Sequence, residues 1–259
     1  MLLRFASLEH PDLVHAVTTR HGGVSDAAHA TLNMSFSRPD DPAAVRENRR
    51  RVYAALEIPA ERVVQAGQIH GDDVLVVGDE HAGRGALDRD SVLPPADALI
   101  TRTPQLYLLA CFADCVPLLF FDPVQRAVGV AHAGWQGTAK QIGAATVQAM
   151  AAAFGSQPAD LRVVIGPSVG PCCYNVWPHV AQQVRMMLPS QPEALIERDG
   201  ETFFDLWQSN LATLMGSGVR PERIEVSRIC TVHHAERFFS HRATNGATGR
   251  FAAIIGVRE

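Results

Sequence analysis

Between residues 62 and 133 six strand-like apolar runs follow one another with no helical segment among them: 62–64, 74–77, 98–101, 106–112, 117–121 and 127–133. A doubly wound parallel sheet would alternate strands with helices. Strands that come in runs as well as in alternation favour a mixed α+β layered domain instead. The expected architecture is therefore an α/β/β arrangement with a mixed sheet, and 259 residues are expected to form one domain spanning 1–259. Strands are also expected at 14–19, 162–165, 223–226, 238–240 and 251–257. Helices are expected at 42–56, where Asp41-Pro42 supplies a cap and a first-turn proline, and at 138–154, 178–188 and 205–215.

Apolar residues make up 47% of the chain and charged residues 19%, which excludes a disordered polymer and supports a sizeable core. Lys plus Arg is 23 against 27 acidic residues, a formal net charge of -4, and no basic block marks a nucleic-acid surface. No uninterrupted apolar run approaches the ~18 residues of a membrane span, and the first residues show no secretory pattern. Five cysteines, an odd number with Cys172 and Cys173 adjacent, suit free or metal-bound thiols in a reducing cytoplasm better than a disulfide framework.

Three segments concentrate the chemistry: Gln68-Ile69-His70-Gly71, Ala113-Asp114-Cys115-Val116-Pro117 and Ala131-His132-Ala133-Gly134-Trp135. Each places a metal-ligand side chain at or near the end of an expected strand, where it can leave the sheet and meet others at a rim. Two imidazoles and a thiolate form a three-ligand set that leaves a fourth zinc position for water or substrate. The spacings of 45 and 17 positions match no local zinc pattern, so a buried cysteine with ordinary polar histidines stands as the competing reading. The glycines after His132, followed by a helix start, offer either an anion seat or a tight strand-to-helix turn.

On the helix at 42–56, Val45, Val52 and Leu56 mark the apolar stripe, and Asn48 and Arg49 lie within it. An inward guanidinium needs a partner: a phosphate or carboxylate of a substrate, or a structural acceptor. Asp114 is either an orienter of an imidazole or a structural carboxylate bonded to backbone amides. Cys172 and Cys173, if extended, point to opposite sides, so at most one would face a site. His233-His234 could bind metal, although paired surface histidines are more often solvated.

Together with Thr19-Arg20-His21-Gly22-Gly23, Glu47-Asn48-Arg49, Ala96-Asp97-Ala98-Leu99-Ile100-Thr101, Ile165-Gly166-Pro167 and Phe238-Phe239-Ser240, these segments resemble the laccase-domain family, also called polyphenol oxidases or peptidoglycan editing factors. The resemblance runs in order over nearly the whole chain. It implies a fold like that of certain bacterial cysteine-hydrolase toxins, and a zinc site built by His70, Cys115 and His132, which would also be the catalytic residues. It further implies phosphorolysis of adenosine, inosine and methylthioadenosine, adenosine deamination, and copper-dependent phenol oxidation. Gln136 stands where relatives often carry Arg, and Asn175 where they often carry Glu.

The leading expectation is a cytoplasmic zinc enzyme, monomer or homodimer, acting on purine nucleosides and phosphate, with Arg49 and Asn48 gripping phosphate or ribose oxygens. The chain lacks the Pro-Cys-x-x-Cys segment that cytidine-type deaminases pair with a His-x-Glu. Two alternatives remain open at the level of sequence. One is a copper-dependent phenol oxidase, because Cys and His ligands take Cu2+ readily. The other is a metal-free hydrolase with Cys115 as nucleophile and a histidine as base, acting on a cell-wall precursor.

Overall fold

The computed structural model describes residues 2–259. In chain order the elements are β1 (Leu2–Leu3), β2 (Leu13–Thr18), α1 (Pro42–Leu56), β3 (Val63–Gly67), β4 (Val74–Val76), β5 (Leu93–Pro95), β6 (Ala98–Thr101), β7 (Tyr107–Phe112), β8 (Val116–Asp122) and β9 (Ala127–Ala133). There follow α2 (Trp135–Ala139), α3 (Ile142–Phe154), β10 (Arg162–Ile165), α4 (Pro178–Met187), β11 (Leu195–Arg198), β12 (Glu201–Phe204), α5 (Leu206–Gly216), β13 (Ile224–Val226) and β14 (Phe251–Val257).

The strands build two six-stranded mixed sheets, ordered β1-β2-β14-β7-β3-β5 and β13-β10-β8-β9-β6-β4, with β11-β12 as a separate hairpin. In the first sheet β7 runs antiparallel to β14 and parallel to β3. In the second, the antiparallel centre of β8 and β9 is flanked by parallel pairs at both edges.

Alternation of side chains along each strand sets the layers. On β7, Leu108, Ala110 and Phe112 join Leu119 and Phe121 of β8 and Val130 of β9 in a core between the sheets. Tyr107, Leu109 and Cys111 instead pack with Val52, Tyr53 and Leu56 of α1. Behind the second sheet, Leu118, Phe120 and Ala131 meet Ile142, Val147 and Met150 of α3 and Leu214 of α5. The layered α/β architecture holds, with helices on both outer faces and the expected mixed sheet resolved into two. Central strands covered on both sides need no polar face, which is why β7, β8, β9 and β14 read as continuous apolar runs.

Helix α1 starts where its cap signals place it. Asp41 accepts the Ala43 amide at 2.9 Å, Pro42 fills the first turn, and Glu57 closes the helix in the left-handed region. The helix expected over 138–154 is two helices. Gln141 sits at φ 62°, which ends α2 and forces α3 to start afresh at Ile142. The strand expected at 238–240 is absent: Phe238 and Phe239 are fully buried loop residues that serve the core between the sheets without pairing to a strand. The hairpin β11-β12 was not anticipated, although its Asp199-Gly200 turn, with both residues at positive φ, is a hairpin signal.

Candidate metal centre and active-site cavity

The register of the two sheets brings the three ligand segments to one rim. In the second sheet Val116 opposes Ala133 and Pro117 opposes His132. Cys115, one residue before β8, therefore lies beside the end of β9 that carries His132. His70 lies on the connection from β3 of the first sheet to β4 of the second, three residues beyond β3, with its backbone at φ 63°. Its Nε2 lies 3.8 Å from Cys115 Sγ. The donor atoms of His70, Cys115 and His132 all fall within 4.8 Å of one another, and the two imidazole centroids are 4.7 Å apart. Gly134 makes the approach possible. A Cβ there would stand 2.9 Å from the His70 ring and 3.0 Å from Cys115 Sγ, too close for any other residue.

Asp97, just before β6, organises this cluster. Its Oδ1 accepts the His70 amide at 3.0 Å and contacts His132 Nδ1 at 2.7 Å. Its Oδ2 accepts the amides of Ile69 at 3.1 Å and Gly71 at 2.6 Å. One carboxylate thus folds the turn that presents His70 and fixes the ring of His132, leaving His132 Nε2 for the site. Burial pushes the Asp97 carboxyl up, but the His132 contact and the backbone amides outweigh it and hold the group below its ordinary range. Burial likewise opposes charge on His132 and Cys115. Their mutual attraction, aided by Asp97 on one side and His70 on the other, prevails: His132 is raised to about 9 and Cys115 lowered to about 6. In the metal-free chain the pair therefore settles as thiolate and imidazolium between those two values, and the thiolate is the form that binds a metal.

The cluster lies in the wall of a cavity of about 700 Å³, with His70 exposed, Cys115 half-buried and His132 buried. The same cavity is lined by Arg38, Arg242 and Arg250. None of the three has a carboxylate within ion-pair distance among the described residues. Arg38 Nε is buried with no hydrogen-bond partner. Burial, then the charge of Arg38, lowers the pKa of Arg250, and the nearby Cys115 and Asp114 offset this only in part. The guanidinium of Arg242 binds the side-chain and main-chain oxygens of Asn175 at 2.6 and 2.9 Å.

The structure brings His70, Cys115 and His132 together and separates them from Asn48. Asn48 is buried, accepts the Val24 amide, and donates to Ser25 Oγ and the Asn33 carbonyl. Arg49 reaches the cavity wall but is fully buried, and its donors go to the carbonyls of Met34, Gly85 and Ala86 and to Gln65 Oε1. Asp114 does not touch an imidazole. It accepts Thr231 Oγ1 and the Arg242 amide, both at 2.6 Å, which is the structural-carboxylate reading. Sequence reasoning missed Asp97 as the orienter, although a carboxylate placed directly before an apolar strand was a usable signal. Arg38 and Arg250 reach the cavity from segments whose spacing carried none.

Two imidazoles and one activated thiol in the wall of a cavity, on a mixed two-sheet scaffold, define an enzyme with a candidate metal centre. Residues 14–258 match the family described as multi-copper polyphenol oxidoreductase laccase, and the chain belongs to it. Among its curated relatives is the purine nucleoside phosphorylase YlmD of Geobacillus stearothermophilus, 41% identical over 95% of this chain and 90% of that protein. A purine nucleoside phosphorylase of Deinococcus radiodurans is 40% identical over 99% of this chain and 92% of its own. The crystal structure of the Geobacillus YlmD superposes with a TM-score of 0.92, covering 96% of this chain and 93% of the other at 41% identity. That of the Bacillus licheniformis protein YfiH also gives 0.92, covering 95% and 93% at 39% identity. Among the described residues no helix is long and apolar enough to cross a membrane.

Proposed function

We propose that this chain is a zinc-dependent purine nucleoside phosphorylase, converting adenosine, inosine or methylthioadenosine and phosphate to free base and (methylthio)ribose 1-phosphate. The observation that carries the reading is the wall of Arg38, Arg242 and Arg250, none of them ion-paired with a carboxylate among the described residues, in the same cavity as the His70, Cys115 and His132 cluster. The relatives named for this activity support it.

The donor set fits zinc. Two nitrogens and one thiolate match the ligand types of catalytic zinc sites and leave one position open. When bound, the ion supplies a Lewis acid at the rim of the cavity. The chain's own groups do the rest. Arg38 and Arg250 take phosphate oxygens and hold them toward the anomeric carbon, since guanidinium forks match phosphate geometry. Phosphate attacks that carbon as the glycosidic C–N bond breaks, and the bonding pair leaves with the base, which gains a proton. Asp97 holds the His70 turn and the His132 ring still throughout.

Adenosine deamination is the companion activity in this reading. The same open position would serve a reaction with water in which ammonia leaves the purine ring. The deciding experiment incubates zinc-loaded protein with adenosine, inosine or methylthioadenosine, each with and without phosphate, and separates the products by chromatography. Adenine and ribose 1-phosphate that require phosphate are expected, with inosine forming independently of it. Absence of turnover on all three nucleosides would remove the proposal.

A further inference from the structure

A second cluster of ligand side chains lies outside the rim site. Cys172, Cys173, Cys230 and His233 place three sulfurs and an imidazole nitrogen within 4.8 Å of one another. Extended geometry would send the two adjacent cysteines to opposite sides. Residues 171–173 form a turn instead, and both sulfurs face one ring: Cys172 Sγ lies 3.8 Å from His233 Nδ1 and Cys173 Sγ 3.2 Å from His233 Nε2. Cys230 closes the group from the other strand of a parallel bridge that pairs it with Ser168. None of the three cysteines is in a disulfide.

We propose that Cys172, Cys173, Cys230 and His233 form a second, structural zinc site with three thiolate ligands and one imidazole. Zinc–sulfur bonds of about 2.3 Å in a tetrahedron require sulfurs roughly 3.8 Å apart, a spacing that four ligand atoms all within 4.8 Å of one another can reach by small side-chain rotations. The exposed His233 ring can turn one nitrogen into the fourth vertex. Cys230 Sγ also accepts the Gly170 amide at 3.3 Å, the kind of N–H contact that supports a metal-bound thiolate. Gly170 has no room for a side chain, since a Cβ would meet Trp207 at 2.7 Å and Cys172 Sγ at 3.2 Å. Cysteine is among the most buried residue types, yet Cys172 is exposed, a placement that ligation explains and packing does not, while the half-buried Cys173 also packs against the core behind the second sheet.

The two clusters differ in kind. The rim site has three ligands and an open side, whereas this one has four and is closed, the pattern of a structural ion. Its role follows from its neighbours. Val169, beside the turn, donates to the Asp114 carbonyl, and Tyr174, directly after Cys173, lines the active-site cavity with Arg242 stacked over its ring at 5.3 Å. An ion that ties 172–173 to 230–233 would fix that cavity wall in place.

The test is zinc stoichiometry by elemental analysis on protein purified without chelator and desalted. About two ions per chain are expected for the native protein. About one is expected in Cys115→Ser, which keeps only the second site, and about one in His233→Ala, which keeps only the rim site. His233→Ala changes an exposed residue and should fold even where Cys230→Ser does not. His233→Cys should restore the second ion. In cobalt-loaded Cys115→Ser, the thiolate-to-metal absorption should fall stepwise as Cys172 and Cys173 are replaced by Ser. Loss of all zinc from Cys115→Ser, or an alkylation count showing two of the three thiols oxidised in the protein as isolated, would overturn the proposal. Neither result bears on nucleoside turnover at the rim.

Discussion

Asp97→Asn should weaken the rim site without a change in shape. Four N–H donors, from Ile69, His70, Gly71 and His132, converge on the two oxygens of Asp97. Asparagine turns one oxygen into a donor, so two of the four lose their acceptor. At about 1–3 kcal/mol for each buried unsatisfied group, the cost is about 2–6 kcal/mol. One relief is available to the neutral ring, the form that binds a metal: His132 can move its proton from Nδ1 to Nε2 and accept from the new amide. That relief removes the lone pair the site needs. Zinc affinity should therefore fall about 10- to 100-fold, or about 1.4–2.7 kcal/mol. Competition with a chromophoric chelator near neutral pH measures the affinity, and urea unfolding of the metal-free protein measures the stability. An Asp97→Asn protein with native zinc affinity and native stability would refute the role given to this carboxylate.

Three further outcomes are expected. Arg250→Ala should raise the KM for phosphate about 10- to 100-fold while the nucleoside KM changes little, because a charge-assisted contact contributes about 1.5–3 kcal/mol; steady-state kinetics at varied phosphate reads this. Arg49→Met should destabilise the fold by about 3 kcal/mol or more, by orphaning the carbonyls of Met34, Gly85 and Ala86, and leave the phosphate KM of the folded enzyme within about twofold, as denaturation and kinetics together would show. His15, which accepts the Phe5 amide, is lowered to about 4, chiefly by burial and then by Arg4, so the unfolded chain binds its proton first. Its contribution is complete above about 6.5 and is lost as pH falls through about 4, some ~3 kcal/mol in all; urea unfolding across that range should show a smaller loss in His15→Gln.

The strands and α1 were legible because their signals are local. Runs such as 127–133 are buried on both faces, and Asp41-Pro42 caps α1 with its own atoms. The break at Gln141 was not, since nothing in an alanine-rich run announces a left-handed residue. The candidate metal ligands are picked out as residue types near strand ends. Their convergence depends on sheet register, which only the fold supplies. Arg49 misled for an instructive reason. An inward guanidinium was correctly recognised as needing a partner, but main-chain carbonyls satisfy it as well as a phosphate would. The cationic wall escaped notice because Arg38 and Arg250 are 212 positions apart in the chain. Cys172 and Cys173 were judged as extended, and a turn reverses that geometry.

His70 and Cys115 lie on the two connections that cross from the first sheet to the second, β3 to β4 and β7 to β8, whereas His132 belongs to β9 of the second. A metal ion held by all three would act as a rivet through the seam between the sheets. Whatever it does for substrate, its binding free energy would add to the cohesion of the whole sandwich. Chelation would then slacken the protein as well as silence it, and heat tolerance and turnover would rise and fall together with the supply of the ion.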